Sequence, residues 1–247
     1  MTDSGRQIAC PACPLRKRAI FIEAVGAELD FVSSFKMGEL HARPGGAIYL
    51  EGATSPHLFT VLSGWAFRYK SLPDGRRQIL NYVLPGDFIG LQATLAQALE
   101  HGIEALTDVR LCVFSRDRLD ELFRNHPPLA RNLTWLAARE ERLLDDQLLA
   151  VGRRHARERV AFLLWHLWRR ARESGVLEGG ALTLPMTQQH LADTLGMSLV
   201  TFNKTLQRLR TTGVFTLADR RLEIHDEGAM ATLAAADARP PERRPLI

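Results

Sequence analysis

Two short helices joined by a tight turn are predicted for residues 186–210, which read MTQQHLADTLGMSLVTFNKTLQRLR. Thr187 and Ser198 carry short polar side chains that cap helix N-termini, so each marks the start of one helix. Gly196 marks the end of the first helix, because glycine readily adopts the positive φ found there. Apolar residues recur at i, i+4 and i+7 of the second helix, at Phe202, Leu206 and Leu209. This helix-turn-helix pattern constrains the C-terminal half of the chain more than any other feature.

The opposite face of the second helix is polar and basic. A helix held by its apolar back and presenting such side chains is what reading a DNA major groove requires. The predicted DNA contacts are Thr187, Gln188, Ser198, Leu199, Val200, Thr201, Asn203, Lys204, Gln207 and Arg208. An ordinary helical hairpin with a merely solvated polar face remains the alternative for this window.

Charge is distributed unevenly along the chain. Its length of 247 residues suits one large domain or two of ordinary size. The formal net charge is +4 and the sequence pI is about 9.2, values that permit nucleic-acid binding without demonstrating it. Basic residues cluster at 153–159, 169–172, 208–210 and 220–221, the same half as the helix-turn-helix. For 169–172 we expect only a solvated helix face.

Several classes of protein are disfavoured by what the sequence lacks. No apolar run approaches the roughly 18 residues of a membrane span, and no signal-peptide core follows the N-terminus, so we expect a cytoplasmic protein with no membrane partner. Three cysteines do not make a disulfide framework in that compartment. Nucleotide-binding glycine loops, HExxH and GxSxG are also missing, so an enzyme is not expected.

Residues 38–115 have the pattern of a small antiparallel β-roll. Runs rich in β-formers are separated by Gly, Pro and Asp, as strands are by turns. Strands are predicted at 58–62, 65–69, 78–83 and 109–114, with a hairpin turn at 72–76. Short helices are expected before this region, between 15 and 35.

A long helix is predicted from about residue 128 to residue 150. Its residues Leu129, Leu133, Leu136, Glu140, Leu143 and Gln147 step by alternating fours and threes, which is a 3.5-residue repeat. We interpret this seam as a dimer interface, because two symmetric helix-turn-helix units would read a palindromic site. The alternative is a helix that packs on its own β-domain.

The resulting fold class is α+β, with five predicted segments. They are a cysteine segment with short helices (1–35), the β-roll (36–126), the dimerisation helix (127–151), a winged helix-turn-helix (152–228) and a disordered tail (229–247). The wing is predicted from two strands at 214–217 and 221–224. The tail prediction follows from its Pro- and Arg-rich composition.

This order of parts resembles the Crp/Fnr family of bacterial transcription regulators over roughly residues 8–228. The resemblance is carried by VLSGW, LPDGR and LPGDFIG, which contain Gly64, Gly75, Gly86 and Gly90, and by ARERVAFLL and QQHLADTLGMSLVTFNKTLQRLRTTG. It implies a cyclic-nucleotide-binding-like β-roll and a homodimer that binds double-stranded palindromic DNA. It also implies RNA polymerase as a partner and a signal that acts on the N-terminal domain.

Two departures from the family pattern change the expectation. Nucleotide-binding members carry an Arg for the cyclic phosphate shortly after the glycine motif, whereas residues 91–106 contain neither Arg nor Lys. A phosphate buried there would lack a counter-charge, so cyclic nucleotide is not expected. In the recognition helix, Val200 and Lys204 stand where many members carry Glu and Arg, which predicts a different DNA site. Asn203 and Gln207 then suit adenine, while Ser198, Thr201 and Arg208 suit phosphates.

The three cysteines match part of the pattern of oxygen-sensing members. The resemblance implies a [4Fe–4S] cluster on Cys10, Cys13 and Cys112, but the chain has no fourth cysteine. Ala19 and Phe21 stand near where a third N-terminal cysteine would be, so either an Asp, Glu or His completes the set or the site is degenerate. A redox pair, a zinc half-site or a buried core thiol at Cys112 are the alternatives.

Two other function classes are kept beside the regulator. One is a cysteine-based metal or redox protein without DNA binding, which would be coloured when purified without oxygen. The other is a β-roll small-molecule module with a protein partner, for which DNA selection would return no motif.

Overall fold

The computed structural model of the protein describes residues 7–92, 98–237 and 240–247. Within them the strands are β1 (Phe21–Ile22), β2 (Lys36–Ala42), β3 (Ala47–Tyr49), β4 (His57–Ser63), β5 (Ala66–Ser71), β6 (Arg77–Val83), β7 (Phe88–Ile89), β8 (Gly102–Ala105), β9 (Val109–Ser115), β10 (Leu182–Thr183), β11 (Phe215–Ala218), β12 (Arg221–Ile224) and β13 (Arg244–Pro245). The α-helices are α1 (Ala27–Phe35), α2 (Leu119–Asn125), α3 (Pro127–Arg153), α4 (Ala156–Glu173), α5 (Gln188–Leu195), α6 (Leu199–Arg210) and α7 (Glu227–Leu233). Short 3₁₀ helices lie at Cys10–Ala12, Pro14–Lys17 and Arg116–Arg118. The predicted α+β class is confirmed.

Two compact units divide the described residues. The first contains the described residues within 1–66, 83–140 and 242–247, and the second contains those within 67–82 and 141–241. The hairpin β5–β6 therefore groups with the C-terminal part of the chain, although the predicted β-roll segment 36–126 includes it.

The first unit is built on a four-stranded sheet of order β2-β9-β4-β7, in which each neighbouring pair is antiparallel. Its central register joins apolar residues, with Phe59 opposite Val113 and Val61 opposite Leu111. β3 and β8 also pair antiparallel. Residues of β4 belong to apolar clusters on both of its faces, which is why this strand is buried almost continuously from Leu58 to Leu62.

Gly64 shows why a glycine is needed after β4. Its φ is +86°, and a Cβ built there would lie 2.2 Å from the carbonyl oxygen of Asp108. Any other residue would both strain the backbone and collide with it. The VLSGW motif thus fixes the close approach of two loops in the β-roll.

Helix α3 is the predicted long helix, but the leucines of its seam face the inside of their own chain. Leu129, Leu133 and Leu136 belong to the apolar core of the first unit, together with residues of α1 and β9. Leu143 is also buried, and Gln147 donates a hydrogen bond to the carbonyl of Thr194. Glu140 is half-buried. The burial of these leucines favours the alternative, in which the helix packs on its own chain, and the dimer role of the seam stays a prediction.

The disordered tail predicted for 229–247 is wrong for most of its described residues. Residues up to Leu233 continue α7, with Met230 fully buried. At the far end, β13 pairs in parallel with β1, and Leu246 and Ile247 join the core of the first unit. The Pro- and Arg-rich composition predicts disorder, but residues 244–247 pair with β1 and pack in the core, which composition alone does not reveal.

The second unit contains α4 and the winged helix-turn-helix. Its sheet has the order β10-β12-β11, so the predicted two-stranded wing gains a third strand. Asp219 and Arg220 both have positive φ, at 47° and 64°, and make the tight turn between β11 and β12. Within the described ranges, no helix combines the length and the apolarity that crossing a bilayer requires.

The three arginines within residues 169–172 contact other groups of the protein, whereas the sequence predicts a solvated helix face there. Arg170 is 5% exposed and donates to the carbonyl of Tyr82 at 2.7 Å. The Arg169 guanidinium lies 4.7 Å from the centroid of the Trp165 ring, and that of Arg172 lies 4.6 Å from Trp168. Their stems and planar heads cover aromatic surface, which charge alone does not predict.

Candidate nucleic-acid interface

The first helix of the helix-turn-helix, α5, starts and stops as its sequence predicts. Thr187 accepts a hydrogen bond from the His190 amide at 3.2 Å, and His190 Nδ1 accepts from the Thr187 amide at 3.3 Å. This reciprocal pair satisfies two amide groups that a helix start leaves open. At the other end Gly196 adopts the left-handed conformation with φ of 59°.

The second helix, α6, is held by a fully buried back. Ser198 caps it by accepting from the Thr201 amide at 3.1 Å. The buried side chains are Phe202, Thr205, Leu206 and Leu209. Burial of such a side chain stabilises by about 1.5–3 kcal/mol, so the helix is fixed in orientation by its own core contacts.

The outward face of α6 carries the predicted base and phosphate contacts. Val200 is 63% exposed, and the following residues predicted to touch DNA are also exposed: Thr187, Gln188, Ser198, Leu199, Thr201, Lys204, Gln207 and Arg208. Asn203 is half-buried, and its Oδ1 is shielded from solvent without a hydrogen-bond partner among the described atoms. Of the ten positions named from the sequence, nine are thus exposed and one, Asn203, is half-buried.

Two arginines of the wing form hydrogen bonds to backbone carbonyls of the same domain. Arg220 donates from Nε to the carbonyl of Leu184 at 3.0 Å and also bonds the carbonyl of Pro185. Arg221 donates to the carbonyl of Glu178 at 2.9 Å. These contacts tie the wing to the strand before α5, so the basic pair at 220–221 positions the helix-turn-helix.

Helix α5 is anchored by the hairpin β5–β6, which sequence reasoning does not connect to it. Arg77 forms an ion pair with Asp193 at 3.1 Å. Gln78 donates to the carbonyl of Thr194 at 2.9 Å, and the hydroxyls of Tyr82 and Thr194 lie 2.9 Å apart. Two residues of the C-terminal turn of α5, Asp193 and Thr194, are thereby held, and only proximity in the fold could reveal the pairing.

Burial shifts the pKa values of two groups at this contact, His190 and Tyr82. Burial lowers the pKa of His190, the Arg77 guanidinium lowers it further, and Asp193 opposes them. The His190 ring lies 5.2 Å from that of Phe67. Burial also raises the pKa of the Tyr82 phenol, which stays a neutral hydrogen-bonding group. A neutral imidazole and a neutral phenol suit this apolar contact.

The three cysteines predicted as metal ligands line one cavity in the first unit. Cys112 is on β9 and buried, whereas Cys10 and Cys13 are half-buried on the N-terminal 3₁₀ turns. The cavity measures about 30 Å³, room for one or two water molecules. Its other lining residues are mostly apolar and include Leu29, Val32, Leu62, Phe114, Leu246 and Ile247.

This arrangement does not fit a [4Fe–4S] cluster. Among residues 7–92, 98–237 and 240–247, no three His, Cys, Asp or Glu side chains are placed to hold a metal ion. Burial raises the pKa of Cys112 to about 12, so this side chain is a protonated thiol at neutral pH. The cysteines are brought together, but as core side chains.

Sequence comparison matches both halves of the chain to known families. The Cyclic nucleotide-binding domain family matches residues 39–126, and the Crp-like helix-turn-helix domain family matches residues 158–233. The nitrogen fixation regulation protein FixK of Bradyrhizobium diazoefficiens is 31% identical over 228 residues, which span 92% of this chain and 94% of FixK. The chain belongs to the Crp/Fnr family of transcription regulators. Among other Crp/Fnr relatives, the transcriptional activatory protein AadR of Rhodopseudomonas palustris is 32% identical over 91% of this chain and 92% of its own.

Solved structures agree with the family assignment. FixK2 from Bradyrhizobium japonicum superposes with a TM-score of 0.73 and 31% identity, covering 81% of this chain and 98% of its own. This likeness places the chain in the FNR/FixK branch of the Crp/Fnr family and confirms the β-roll, long helix and helix-turn-helix order. The Crp/Fnr regulators most similar to it are DNA-binding proteins, not enzymes.

Proposed function

We propose that the protein is a homodimeric regulator that reads a palindromic DNA site with α6 and responds to a thiol-directed signal in its first unit. The observation that supports this most strongly is the geometry of α6. Its apolar back is buried while Val200, Lys204, Gln207 and Arg208 point to solvent. RNA polymerase is the expected further partner, and the cytoplasm, where DNA lies, is the expected compartment.

The chemistry of the exposed face suits mixed base contacts. Lys204 donates to guanine or to a phosphate, and Gln207 suits adenine. Val200 offers a methyl contact to thymine. The unpaired Oδ1 of Asn203 would gain a donor if the side chain rotated outward onto an adenine amino group. This set of side chains favours a site different from the one that Glu- and Arg-bearing members of the family read.

We place the dimer contact on a surface of α3 other than the predicted seam, because the seam leucines are buried within their own chain. Exposed residues recur by fours and threes along another stripe of the helix, at Thr134, Ala138, Glu141, Asp145 and Leu148. Leu148 is 68% exposed, which is unusual for a leucine in the middle of a long helix. We assign the homodimer contact to this stripe, because a second copy of α3 would bury Leu148 and keep both α6 helices paired.

The proposed signal acts on thiols and does not use a phosphate site. Residues 91–106 contain no Arg or Lys to balance a cyclic phosphate. Cys10, Cys13 and Cys112 line one small cavity beside α1. Modification of these thiols would enlarge side chains in a core that includes residues of α3, and so would act on the dimer helix.

The test is DNA selection from a random library followed by gel shifts on the selected site. Lys204→Ala is expected to weaken specific binding roughly tenfold and to reduce the slope of log affinity against log salt by about 0.9 if a phosphate contact is lost. Lys17→Ala, an exposed lysine of the first unit, is the matched control and should leave both unchanged. Unchanged binding by Lys204→Ala would refute the assignment of α6, and a library without an enriched motif would refute DNA reading altogether.

A further inference from the structure

The segment Arg244–Ile247 is seated in the first unit like a bound peptide. Its strand β13 pairs in parallel with β1, placing Arg244 opposite Phe21 and Pro245 opposite Ile22. The Arg244 amide donates to the carbonyl of Ile20 at 2.8 Å, and the Leu246 amide donates to that of Ile22 at 3.2 Å. Addition of an extended segment to a strand edge is a general mode of peptide recognition.

A charged pocket receives the first residue of the segment. The Arg244 side chain is 1% exposed and forms an ion pair with Asp87 at 2.6 Å. It also donates to the carbonyl of Pro85 at 3.0 Å, and its guanidinium lies 4.9 Å from the centroid of the Phe21 ring. A buried arginine that pairs with a carboxylate and a carbonyl in this way needs a pocket shaped for it.

Gly86 makes the room for that pocket. A Cβ built on it would lie 2.1 Å from the Phe21 ring and 3.2 Å from the Arg244 guanidinium, and its φ is +88°. The LPGDFIG motif thus supplies three parts of the pocket: the Pro85 carbonyl, the space at Gly86 and the Asp87 carboxylate. Asp87 also pairs with Arg139 of α3 at 3.3 Å, so the pocket shares its anion with the long helix.

The last two residues of the segment cover the cysteine cavity. Leu246 and Ile247 are 8% and 6% exposed and belong to the same apolar core as Cys112. Both line the cavity together with Cys10 and Cys13. The Thr60 hydroxyl donates to the carbonyl of Ile247, which fixes the end of the segment over the cavity.

We propose that the first unit carries a peptide-binding groove for an Arg-Pro-aliphatic-aliphatic segment, occupied by residues 244–247, and that this occupant closes the cysteine cavity. The groove consists of the edge of β1, the Asp87 pocket and the apolar rim around the three thiols. Release of the segment opens the thiols to reagents and removes one of the two arginines on Asp87. The proposal goes beyond DNA reading and does not depend on it.

The test uses thiol alkylation of the full chain, followed per cysteine by mass spectrometry. Leu246→Asp places a charge in the apolar end of the groove and is expected to speed labelling of Cys112 about tenfold by favouring local opening. Leu50→Asp is the matched control, since Leu50 is 59% exposed in the same unit. The rate of Cys112 labelling in this variant should equal that of the wild-type protein. Excess free peptide with the sequence of residues 242–247 should restore slow labelling of Leu246→Asp, and the same peptide with Ala for Arg244 should not.

A second measurement on the unaltered protein covers the case in which Leu246→Asp fails to fold. By hydrogen exchange, the amides of Arg244 and Leu246 should be protected, because both donate to carbonyls beside or within β1. Three results would overturn the proposal. They are fast exchange of the Arg244 and Leu246 amides, a Cys112 labelling rate in Leu246→Asp equal to that of wild type, and equal slowing of labelling by both peptides. None of these readouts involves DNA, so a failure of the groove is distinguishable from a failure of DNA reading.

Discussion

Arg77 of the β5–β6 hairpin donates its Nε proton to Asp193 of α5 at 3.1 Å, and thereby ties that hairpin to the first helix of the helix-turn-helix. The pair is mostly shielded, with 28% and 16% of the two side chains exposed. The same guanidinium lies 5.1 Å from the centroid of the Phe67 ring. Since α5 supports the reading helix α6, this contact links the hairpin to the DNA-reading surface.

Removal of this link should destabilise the second unit. Arg77→Ala leaves Asp193 without its partner and uncovers Phe67, so we expect a loss of about 1–2 kcal/mol in the free energy of unfolding. Arg76→Ala is the matched control, because the Arg76–Asp74 pair is 77% and 53% exposed and should change stability by less than about 0.5 kcal/mol. Urea unfolding measures both. Equal midpoints for the two variants would contradict the assignment.

The protonation of His190 predicts how this contact responds to pH. Burial lowers its pKa in the fold, so between the folded and the ordinary value, about 6.5, the unfolded chain binds a proton that the folded chain does not. The contribution of neutral His190 to the free energy of unfolding is fully present above the ordinary pKa. It is lost as the pH falls from that value through the lowered pKa of the folded state. His190→Gln, which cannot titrate, should flatten the melting temperature between pH 8 and pH 5.5, about the range that brackets that pKa. An unchanged pH slope in the variant would refute this.

Two glycines of helical regions should respond to alanine in opposite directions. Gly196 has φ of +59°, so Gly196→Ala should destabilise by about 1–2 kcal/mol through backbone strain. Gly152 lies inside α3 with no atom within 4 Å of a built Cβ, so Gly152→Ala should stabilise by up to about 0.5 kcal/mol. Thermal unfolding of both variants gives the two signs. A neutral Gly196→Ala would show that the turn is not constrained as described.

The assignment of the dimer contact predicts a selective effect at Leu148. Leu148→Asp places a charge on the exposed stripe of α3 and should dissociate the dimer, weakening DNA binding because the two half-sites are no longer read together. Sedimentation velocity measures the association state, and gel shifts measure the binding. Leu50→Asp, at an equally exposed leucine outside α3, is the control and should remain dimeric. A dimeric Leu148→Asp would place the interface elsewhere.

Much of the fold follows from local chemistry that the sequence displays. The caps at Thr187 and Ser198, the left-handed turn at Gly196 and the apolar back of α6 are short-range features, and the structure has all of them. The strands β4, β5, β6 and β9 lie where their composition predicts them. Short-range rules suffice here because the capping and turn groups lie within a few residues of each other.

Other assignments depend on which distant segments of the chain pack against each other, and the sequence alone could not decide them. The 3.5-residue repeat of α3 is the same whether its leucines face a second copy or their own β-roll, and the structure places Leu129 and Leu133 in the latter. Arg244 and Asp87 are 157 positions apart in the chain, and Arg77 and Asp193 are 116 apart. Periodicity and caps report the local conformation of a chain, whereas long-range burial and ion pairing arise only when distant segments are brought together by the tertiary fold.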